Sequence, residues 1–411
     1  MVMGDRSAPA AAPPAHAGAL PASVLFVTPL WGRDGGVAAH VVESARALAR
    51  HGVEVHVLAA RVKLEQDVPG VTLHERPRLA DTRAPLRERL GGPLPGEPQL
   101  AHVHQLDDRA TVEALRGAAP LVISAHGYPG CTSGVYYFEP GNECTRPHGP
   151  GCVPNLLARG CAHTRHPKTL PGKFWSATRG MASLRLADLV VSYSSAVDRH
   201  LANNGLPRRA IVPYFPTLSP RAGSGHEARR RVVFAGRLVP SKGLDVLIRA
   251  LSQVDAELVV CGEGRQQREM QALAAELGVN ERVRFEGWLD ADGLAEEFAN
   301  ASVVAVPSVW PEPFGIVGIE ALAAGRPAVG SATGGIPDWL HDGVCGLSVK
   351  PGDAGALARA LEQLLADTDR QRAMGLAGKE LVAERFSADS HVARLTAAYR
   401  DARASWLNGR G

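Results

Sequence analysis

The sequence predicts an α/β fold in which two doubly wound, Rossmann-like domains face each other across a cleft. The chain has 411 residues, more than a single hydrophobic core usually holds. Apolar segments typical of buried strands begin at Val24 in the first half and at Arg231 in the second, and each is followed by a glycine-bearing loop and a helix-like pattern. This order of strand, loop and helix is typical of βαβ units in a parallel sheet.

The composition argues against several classes of protein. The chain has 45 Lys and Arg against 42 Asp and Glu, and a net charge of +3 does not indicate nucleic-acid binding. Residues 1–21 are rich in Ala and Pro without a continuous apolar stretch, which predicts a disordered tail rather than a signal peptide. No run of residues approaches the roughly 20 apolar residues that span a bilayer. We therefore expect a cytoplasmic protein that binds no nucleic acid.

The first predicted unit places a pair of glycines at a sheet edge. Val24–Thr28 has the pattern of a buried strand, Gly35 and Gly36 lie in the loop after it, and a helix and a second strand, Val53–Leu58, follow. Because ligands of such folds bind at the carboxyl ends of the strands, we expect this loop to contact a ligand. A plain tight turn is the alternative.

Further strands place three histidines at the same edge. The predicted strands are Val71–His74, Leu100–His104, Leu121–Ser124 and Asp188–Ser192, with helices from Asp107 and Ser194. His102 and His104 end one of these strands, where they either line the cleft or stabilise the fold. His126 lies just past the next strand and before a glycine.

The regular pattern stops over residues 130–173, which we predict to be an insertion loop. It contains Cys131, Cys144, Cys152 and Cys161 together with His148, His163 and His166. The C-x2-C pairs that make zinc sites recognisable are absent, so zinc binding, disulfides and free thiols all remain open. Since the loop follows His126, we expect it to form a lid or wall over the cleft.

A basic segment overlaps this insertion. Residues 159–185 contain six Lys or Arg and no Asp or Glu, with Phe174 and Trp175 in the middle. A solvated basic face, peripheral contact with a membrane, and recognition of an acidic or phosphorylated substrate are the three interpretations.

The second half begins with two cations beside a glycine. Gly236 and Arg237 follow the strand that begins at Arg231, and Lys242 lies five residues further on in the same loop. Two cations at the carboxyl end of a strand can hold a diphosphate from two sides and neutralise it as a leaving group. Gly262 lies in a later G-x-G sequence, which is a weak signal on its own.

The stretch 307–340 carries two carboxylates eight residues apart. Glu312 lies in a proline-broken turn, and Glu320 lies inside the helix predicted after Gly315. Each carboxylate can accept hydrogen bonds from a pair of hydroxyls, while the amides and dipole of the helix N-terminus hold an anion between them. A nucleoside-diphosphate sugar has this arrangement of groups.

The sequence P-E-P-F-G-x4-E at residues 311–320 resembles the E-x7-E signature of the retaining family 4 glycosyltransferases. The G-R…K-G element from Gly236 is similar to that family too, as is G-G-I-P-D-W-L, in which Gly334 and Gly335 predict a further helix start near phosphate. The resemblance covers nearly all of the chain from Val24 and is specific over residues 231–347. It implies the GT-B architecture of two Rossmann-like domains.

The resemblance implies a reaction as well as a fold. A sugar would move from a UDP-, GDP- or other nucleoside-diphosphate sugar to a hydroxyl or amine of a small-molecule, lipid or glycan acceptor, with retention of anomeric configuration. No cofactor is implied beyond this donor. No metal is required, because Arg237, Lys242 and the helix termini can stabilise the diphosphate.

The family pattern assigns roles to matching residues. Glu312 would contact the hydroxyls of the sugar, Glu320 those of the ribose, and Arg237 and Lys242 would meet the departing diphosphate. His126 is similar to a histidine beside the transferred sugar, where it would help to stabilise developing charge. The other implied donor contacts are Gly35, Gly36, Gly236, Gly262, Phe314, Gly315, Ile316 and Val317.

The architecture also implies domain boundaries. Residues 22–218 would form the acceptor-side domain, residues 219–228 the linker, and residues 229–386 the domain that binds the nucleotide sugar. Residues 387–411 would form a helix that crosses back onto the first domain.

Two other functions fit the residues less well. A nicotinamide-dependent oxidoreductase needs G-x-G-x-x-G with an acidic residue about 20 positions on, and neither half supplies both. A non-catalytic sugar-nucleotide-binding protein would leave the clustered charges of Arg237, Lys242 and Glu312 unexplained.

Overall fold

The computed structural model describes residues 20–33, 35–64, 67–106, 108–131, 137–139, 142–158, 161, 170–221 and 230–409. Within them the chain forms two parallel sheets with flanking helices, which confirms the predicted α/β fold with two Rossmann-like domains. All but the last two residues of the predicted tail, and most of the predicted linker, lie outside the described residues.

The first half of the chain builds a seven-stranded sheet. The strands of this half are β1 Ser23–Trp31, β2 Glu54–Val62, β3 Val71–Glu75, β4 Ala101–His104, β5 Leu121–Ala125, β6 Tyr137–Glu139, β7 Asn142–Glu143, β8 Leu189–Ser192 and β9 Arg209–Ile211. Of these, β6 and β7 form a separate, short antiparallel pair in the insertion. The order across the sheet is β3-β2-β1-β4-β5-β8-β9. The strand order reverses beside β1, which is where doubly wound sheets bind ligands.

The helices of the first half connect these strands. They are α1 Gly36–Arg50, α2 Leu86–Leu90, α3 Arg109–Ala118, α4 Cys152–Ala158, α5 Leu170–Leu184 and α6 Ser195–Asn203. α1 follows β1 directly, so its N-terminus lies at the carboxyl edge of the sheet, as the glycine pair predicted.

The second half repeats the plan with six parallel strands. These are β10 Arg231–Ala235, β11 Glu257–Cys261, β12 Val283–Gly287, β13 Val303–Val306, β14 Ala328–Ser331 and β15 Gly346–Val349, in the order β12-β11-β10-β13-β14-β15. The helices are α7 Leu244–Leu251, α8 Gln267–Glu276, α9 Ala291–Ala299, α10 Ile316–Ala323, α11 Ala354–Leu365, α12 Thr368–Arg385 and α13 Ala388–Asn408. Single 3-10 turns cover Pro240–Lys242, Asn280–Arg282 and Ile336–Asp338.

Short polar side chains start several of these helices. Each accepts a hydrogen bond from the backbone N–H three residues ahead, which satisfies one of the amides that the first turn leaves open. The capping residues are Asp108, Ser194, Asp290, Asp353, Asp367 and Ser387.

The two halves share one apolar cluster, which fixes how they face each other. Phe26 and Val41 from the first half lie in the same buried cluster as Phe314 and Trp339 from the second. α13 packs on α1, β5 and β8, and its Tyr399 belongs to that cluster. The last helix therefore lies on the first half of the chain, as the architecture implied.

Three local predictions were wrong. The predicted strand Val24–Thr28 is longer, because β1 and β2 stay paired as far as Trp31 and Val62. Part of the predicted insertion loop is helical: α4 lies inside it, and α5 begins at Leu170, since proline is tolerated in the first turn of a helix. Gly334 and Gly335 precede only a 3-10 turn rather than a helix.

We expect Gly318→Ala to destabilise the fold. A Cβ at Gly318 would lie 2.0 Å from Cη2 of Trp339, whose buried indole donates a hydrogen bond of 2.7 Å to the Phe314 carbonyl. Overpacking of this kind costs about 1–3 kcal/mol of unfolding free energy, measurable as a lower midpoint in chemical denaturation. Gly117→Ala in α3 is the control, because its Cβ would meet no atom within 4 Å. Equal stability of the two variants would contradict the packing described.

Candidate active site

Glycines at the carboxyl edge of the second sheet bring two turns into contact. Gly262 has a φ of 144°, and a Cβ there would lie 2.0 Å from the carbonyl oxygen of Gly236. Arg237 follows Gly236 and is exposed at this edge. An open cavity of about 520 Å³ lies beside the turn, with Gly264 and Arg265 in its lining. The edge thus offers two exposed cations, Arg237 and Arg265, to an anion.

Glu312 is buried and accepts three hydrogen bonds on one oxygen. Its Oε2 lies 2.7 Å from Nζ of Lys242, 3.0 Å from Nε1 of Trp310 and 3.1 Å from Oγ of Ser308. Burial alone would raise the pKa of Glu312, but the charge of Lys242 and these hydrogen bonds hold that pKa below its ordinary value. Glu312 is therefore ionised at neutral pH.

The glycine pair after β14 supports the backbone of Glu312. Gly334 has a φ of 59°, and a Cβ there would lie 2.1 Å from the Glu312 carbonyl oxygen. The N–H of Gly335 donates to the same carbonyl at 2.7 Å. Close backbone packing by these glycines thus fixes the Glu312 loop, and the contact with phosphate expected of them stays a prediction.

Glu320 is also buried but has no cation beside it among its described partners. Thr217 Oγ1 donates to Glu320 Oε1 at 2.9 Å. Burial raises the pKa of Glu320 to about 7, and the hydrogen bonds from Thr217 oppose the rise only in part. The two glutamates of the motif therefore have opposite pKa shifts.

The N-terminus of α10 faces the glycine loop of the first half. Gly315 takes a left-handed conformation with φ of 86° and precedes Ile316 and Val317, the first residues of the helix. A Cβ at Gly36 would lie 3.2 Å from Cδ1 of Ile316, and Gly35 starts α1 with φ of 96°. Two helix N-termini thus meet across the cleft, where both dipoles favour an anion. Phe314, next to Gly315, is buried and its carbonyl is bound by Trp339.

His126 uses both ring nitrogens on protein partners. Its Nδ1 lies 2.7 Å from the Tyr214 hydroxyl and its Nε2 lies 3.1 Å from Nδ1 of His104. Tyr193 stacks on the ring at 4.6 Å between centroids. Burial lowers the pKa of His126 to about 3, so the imidazole is neutral. His102 bonds Tyr399 and Ser124 at 2.8 Å each, which makes that histidine part of the buried core.

Side chains from the two halves of the chain contact each other at the cleft. Asp338 accepts hydrogen bonds from the N–H of Ser195 at 2.7 Å and from its hydroxyl at 2.5 Å. Trp310, which bonds Glu312, meets Tyr128 edge to face at 6.4 Å between ring centroids. Five residues of the site were not predicted from the sequence: Ser308, Trp310, Thr217, Tyr214 and Asp338. Only Trp310 carried a signal, as an aromatic residue two positions before the predicted glutamate.

The structure narrows the alternatives left open for the cysteines of the insertion. Cys131, Cys144, Cys152 and Cys161 form no disulfide, and Cys131 and Cys144 pack against the apolar cluster of the first sheet. His148 bonds Thr178 at 2.8 Å. His163 and His166 lie outside the described residues. Across the part of the chain that is described, no group of three or more His, Cys, Asp and Glu side chains is placed to hold a metal ion.

Asp290 and Asp292, two carboxylates at the start of α9, both have protein partners. Asp290 caps α9 through the N–H of Gly293 at 2.8 Å, and Asp292 pairs with Arg221 at 2.8 Å.

Trp175 in the basic segment is exposed on α5, and the membrane contact suggested for that segment stays a prediction. No described helix combines the length and apolar character needed to cross a bilayer.

Comparisons with known proteins match both halves of this arrangement. The family described as glycosyl transferases group 1 matches residues 220–381, and Glycosyltransferase Family 4 matches residues 34–213. D-inositol 3-phosphate glycosyltransferase 1 of Catenulispora acidiphila is 31% identical to this chain, over 90% of the chain and 92% of that protein.

Two further comparisons cover different shares of the chain. The GDP-mannose-dependent alpha-(1-6)-phosphatidylinositol monomannoside mannosyltransferase of Mycolicibacterium smegmatis is 38% identical over 40% of this chain and 46% of its own length. The structure of sucrose-phosphate synthase from Thermosynechococcus elongatus has a TM-score of 0.69 at 21% identity, over 92% of this chain and 98% of that one, which shows the shared fold.

The fold and the comparisons together define a glycosyltransferase of the GT-B architecture. The chain belongs to the family 4, or group 1, glycosyltransferases.

The raised pKa of Glu320 predicts how stability depends on pH without ligand. The folded-state pKa of about 7 exceeds the ordinary value of 4.5. The protonated Glu320 therefore contributes its full share of the free energy of unfolding below about pH 4.5, and this contribution is lost as the pH rises through 7. Glu320→Gln keeps a neutral side chain at every pH. It should therefore gain about 2–3 kcal/mol over the wild type between pH 4.5 and pH 8, measured by chemical denaturation.

The control for this prediction is Glu296→Gln on the exposed face of α9. Its difference from the wild type should stay flat with pH. A flat difference for Glu320→Gln as well would show that Glu320 is ionised in the folded protein throughout this range.

Proposed function

We propose that this glycosyltransferase moves a hexosyl group from a nucleoside-diphosphate sugar to an acceptor hydroxyl with retention of anomeric configuration. The observation that carries the proposal is the carboxylate of Glu312. It is ionised, buried, and bound only on Oε2 by the donors described, so Oε1 is left for a hydroxyl of the sugar. A buried, ionised carboxylate with one oxygen available is typical of a binding or catalytic group.

The donor diphosphate would replace Glu312 as the partner of Lys242. Lys242 lies at the carboxyl edge of β10 with Arg237, and the N-termini of α1 and α10 face the same space. Two cations and two helix dipoles would neutralise the leaving diphosphate as the sugar–phosphate bond breaks. The released Glu312 would then stabilise the positive charge that develops on the sugar ring.

Glu320 would bind the ribose hydroxyls of the nucleotide. A carboxylate accepts both hydroxyls only when it is ionised, so nucleotide binding should pull the pKa of Glu320 down from about 7. Gly262 and Gly236 would let the nucleotide approach the backbone closely. His126 would border the sugar through its carbon edge or by exchanging one of its hydrogen bonds, because both nitrogens are in use.

The acceptor hydroxyl would bond to the anomeric carbon on the same face that the diphosphate leaves, which gives retention, and its proton would pass to the departing diphosphate oxygen. It would enter from the side of the first sheet, beside Tyr128 and Trp310. The names of both relatives include inositol, as a phosphate in one and as a phosphatidyl monomannoside in the other. We take a phosphorylated polyol as the first acceptor class to test, and the basic residues of α5 fit its charge.

A panel of nucleotide sugars would test this function. Incubation with UDP-, GDP- and ADP-sugars, with and without inositol phosphate, should release free nucleoside diphosphate from one donor, slowly alone and faster with acceptor. Unphosphorylated inositol is the matched control for the acceptor. Binding of a donor without any release would favour a non-catalytic sugar-nucleotide-binding protein, and reduction of NAD or NADP would favour an oxidoreductase.

Substitutions of the ion pair should separate binding from transfer. Lys242→Met removes a charge-assisted contact to the diphosphate and should weaken nucleoside-diphosphate binding about 10- to 100-fold in calorimetry. Glu312→Gln frees Lys242, so binding should stay equal or tighten, while turnover falls at least about 100-fold. Lys379→Met on the exposed face of α12 is the control and should bind as the wild type does. Weakened nucleotide binding in Glu312→Gln would contradict the exchange of partners.

A further inference from the structure

A cluster of histidines and tyrosines is buried beneath the cleft, between the carboxyl edge of the first sheet and α13. Its members are His40, His102, His104, His126, His391, Tyr193, Tyr214 and Tyr399. All but the partly exposed His126 are nearly inaccessible to solvent. Burial is the first cause that lowers the pKa of each of these histidines, so the imidazoles are neutral. A neutral imidazole has one N–H and one bare nitrogen, which gives each ring a direction.

One chain of hydrogen bonds in this cluster runs from the core to the cleft. His104 Nδ1 lies 3.1 Å from His126 Nε2, and His126 Nδ1 lies 2.7 Å from the Tyr214 hydroxyl. The chain therefore has two possible directions. Either every donor points from His104 toward Tyr214, or every donor points the other way.

The core end of the chain decides between these directions. His104 Nε2 is fully buried with no hydrogen-bond partner among the described residues, and its ring lies 4.8 Å from that of Phe26. If the chain ran inward from Tyr214, Nε2 of His104 would carry a buried N–H without an acceptor. If it ran outward, Nε2 would be a bare nitrogen. An orphaned buried N–H is the rarer and costlier of the two states.

We propose that His104 and Tyr214 are positioning residues that hold His126 in the tautomer with its proton on Nδ1. His104 Nδ1–H then donates to His126 Nε2, and His126 Nδ1–H donates to the Tyr214 oxygen. The hydroxyl of Tyr214, which accepts from His126, can then donate its own proton to another acceptor.

The surroundings of Tyr214 fit this role. Its ring stacks on Tyr193 at 4.1 Å and lies 5.3 Å from Phe314, the residue before Gly315 and the start of α10. Burial, then Tyr193 and the carboxylate of Glu312, raise the pKa of Tyr214 well above its ordinary value. Tyr214 therefore keeps its proton and lies within electrostatic reach of Glu312. It links the neutral histidine of the first half to the carboxylate of the second.

The proposal rests on the proposed function only for its effect on turnover, because the tautomer is a property of the protein alone. Nitrogen-15 spectra of histidine-labelled wild-type protein distinguish a protonated from a bare ring nitrogen. His104→Asn and His126→Asn variants assign the two rings. We expect His104 and His126 both to carry the proton on Nδ1. A proton on Nε2 of His126 would overturn the proposal, whether or not the protein transfers sugar.

Kinetics then test what the tautomer does. Tyr214→Phe removes the acceptor for His126 Nδ1–H and should lower kcat about tenfold or more, with the donor KM little changed. Tyr399→Phe is the matched control, since its hydroxyl lies 2.8 Å from an imidazole Nδ1 of the same cluster, that of His102. It should lose stability as Tyr214→Phe does but keep its kcat. Equal kcat values for the two variants would show that Tyr214 has a structural role and does not position His126 for turnover.

Substitutions at His104 supply a rescue. Asn offers an amide N–H close to the position of the histidine Nδ1–H, whereas Leu offers none. His104→Leu should therefore lose turnover and shift the His126 ring nitrogens, and His104→Asn should restore both toward the wild type. Similar losses in both variants, with unchanged His126 nitrogen signals, would contradict a positioning role.

Discussion

The hydrogen-bonded ion pair between Lys242 and Glu312 is the contact on which the rest of the site depends. A buried carboxylate is costly unless it is paired and hydrogen-bonded. Lys242, Trp310 and Ser308 meet that need on one oxygen, and the loop that presents them is fixed by the approach of Gly334 to the Glu312 carbonyl. Under the proposed function the pair would supply two charges, a cation for the diphosphate and an anion for the sugar.

The surroundings of Glu312 and Glu320 shift the pKa values of these two carboxylates in opposite directions. Glu312 has a cation as partner, and its pKa is held below the ordinary value, whereas the described partner of Glu320 is the neutral Thr217 and its pKa is about 7. Under the proposed function, Glu312 would be ionised before the donor arrives, whereas Glu320 would ionise on binding if the nucleotide hydroxyls replace its lost hydration. This difference in environment would let the two glutamates of one motif bind opposite ends of one ligand.

Much of the fold followed from sequence, because strand, glycine loop and helix are encoded locally. The site followed less completely. Glu312 and Lys242 stand in recognisable motifs, but their contact joins residues 70 positions apart, and no local pattern encodes it. Thr217 and Tyr214 carry no local signal, because both lie in the loop after β9 and reach the site through contacts with Glu320 of α10 and His126 beyond β5. The helix α5 was obscured by a proline that its first turn tolerates.

The proposed function depends on the donor diphosphate replacing Glu312 as the partner of Lys242. A crystal structure with a nucleoside diphosphate in the cleft would test this exchange through the distances from Lys242 Nζ. We expect Nζ to contact a phosphate oxygen and the distance of 2.7 Å to Glu312 Oε2 to lengthen. A diphosphate bound elsewhere, with the ion pair unchanged, would exclude the exchange.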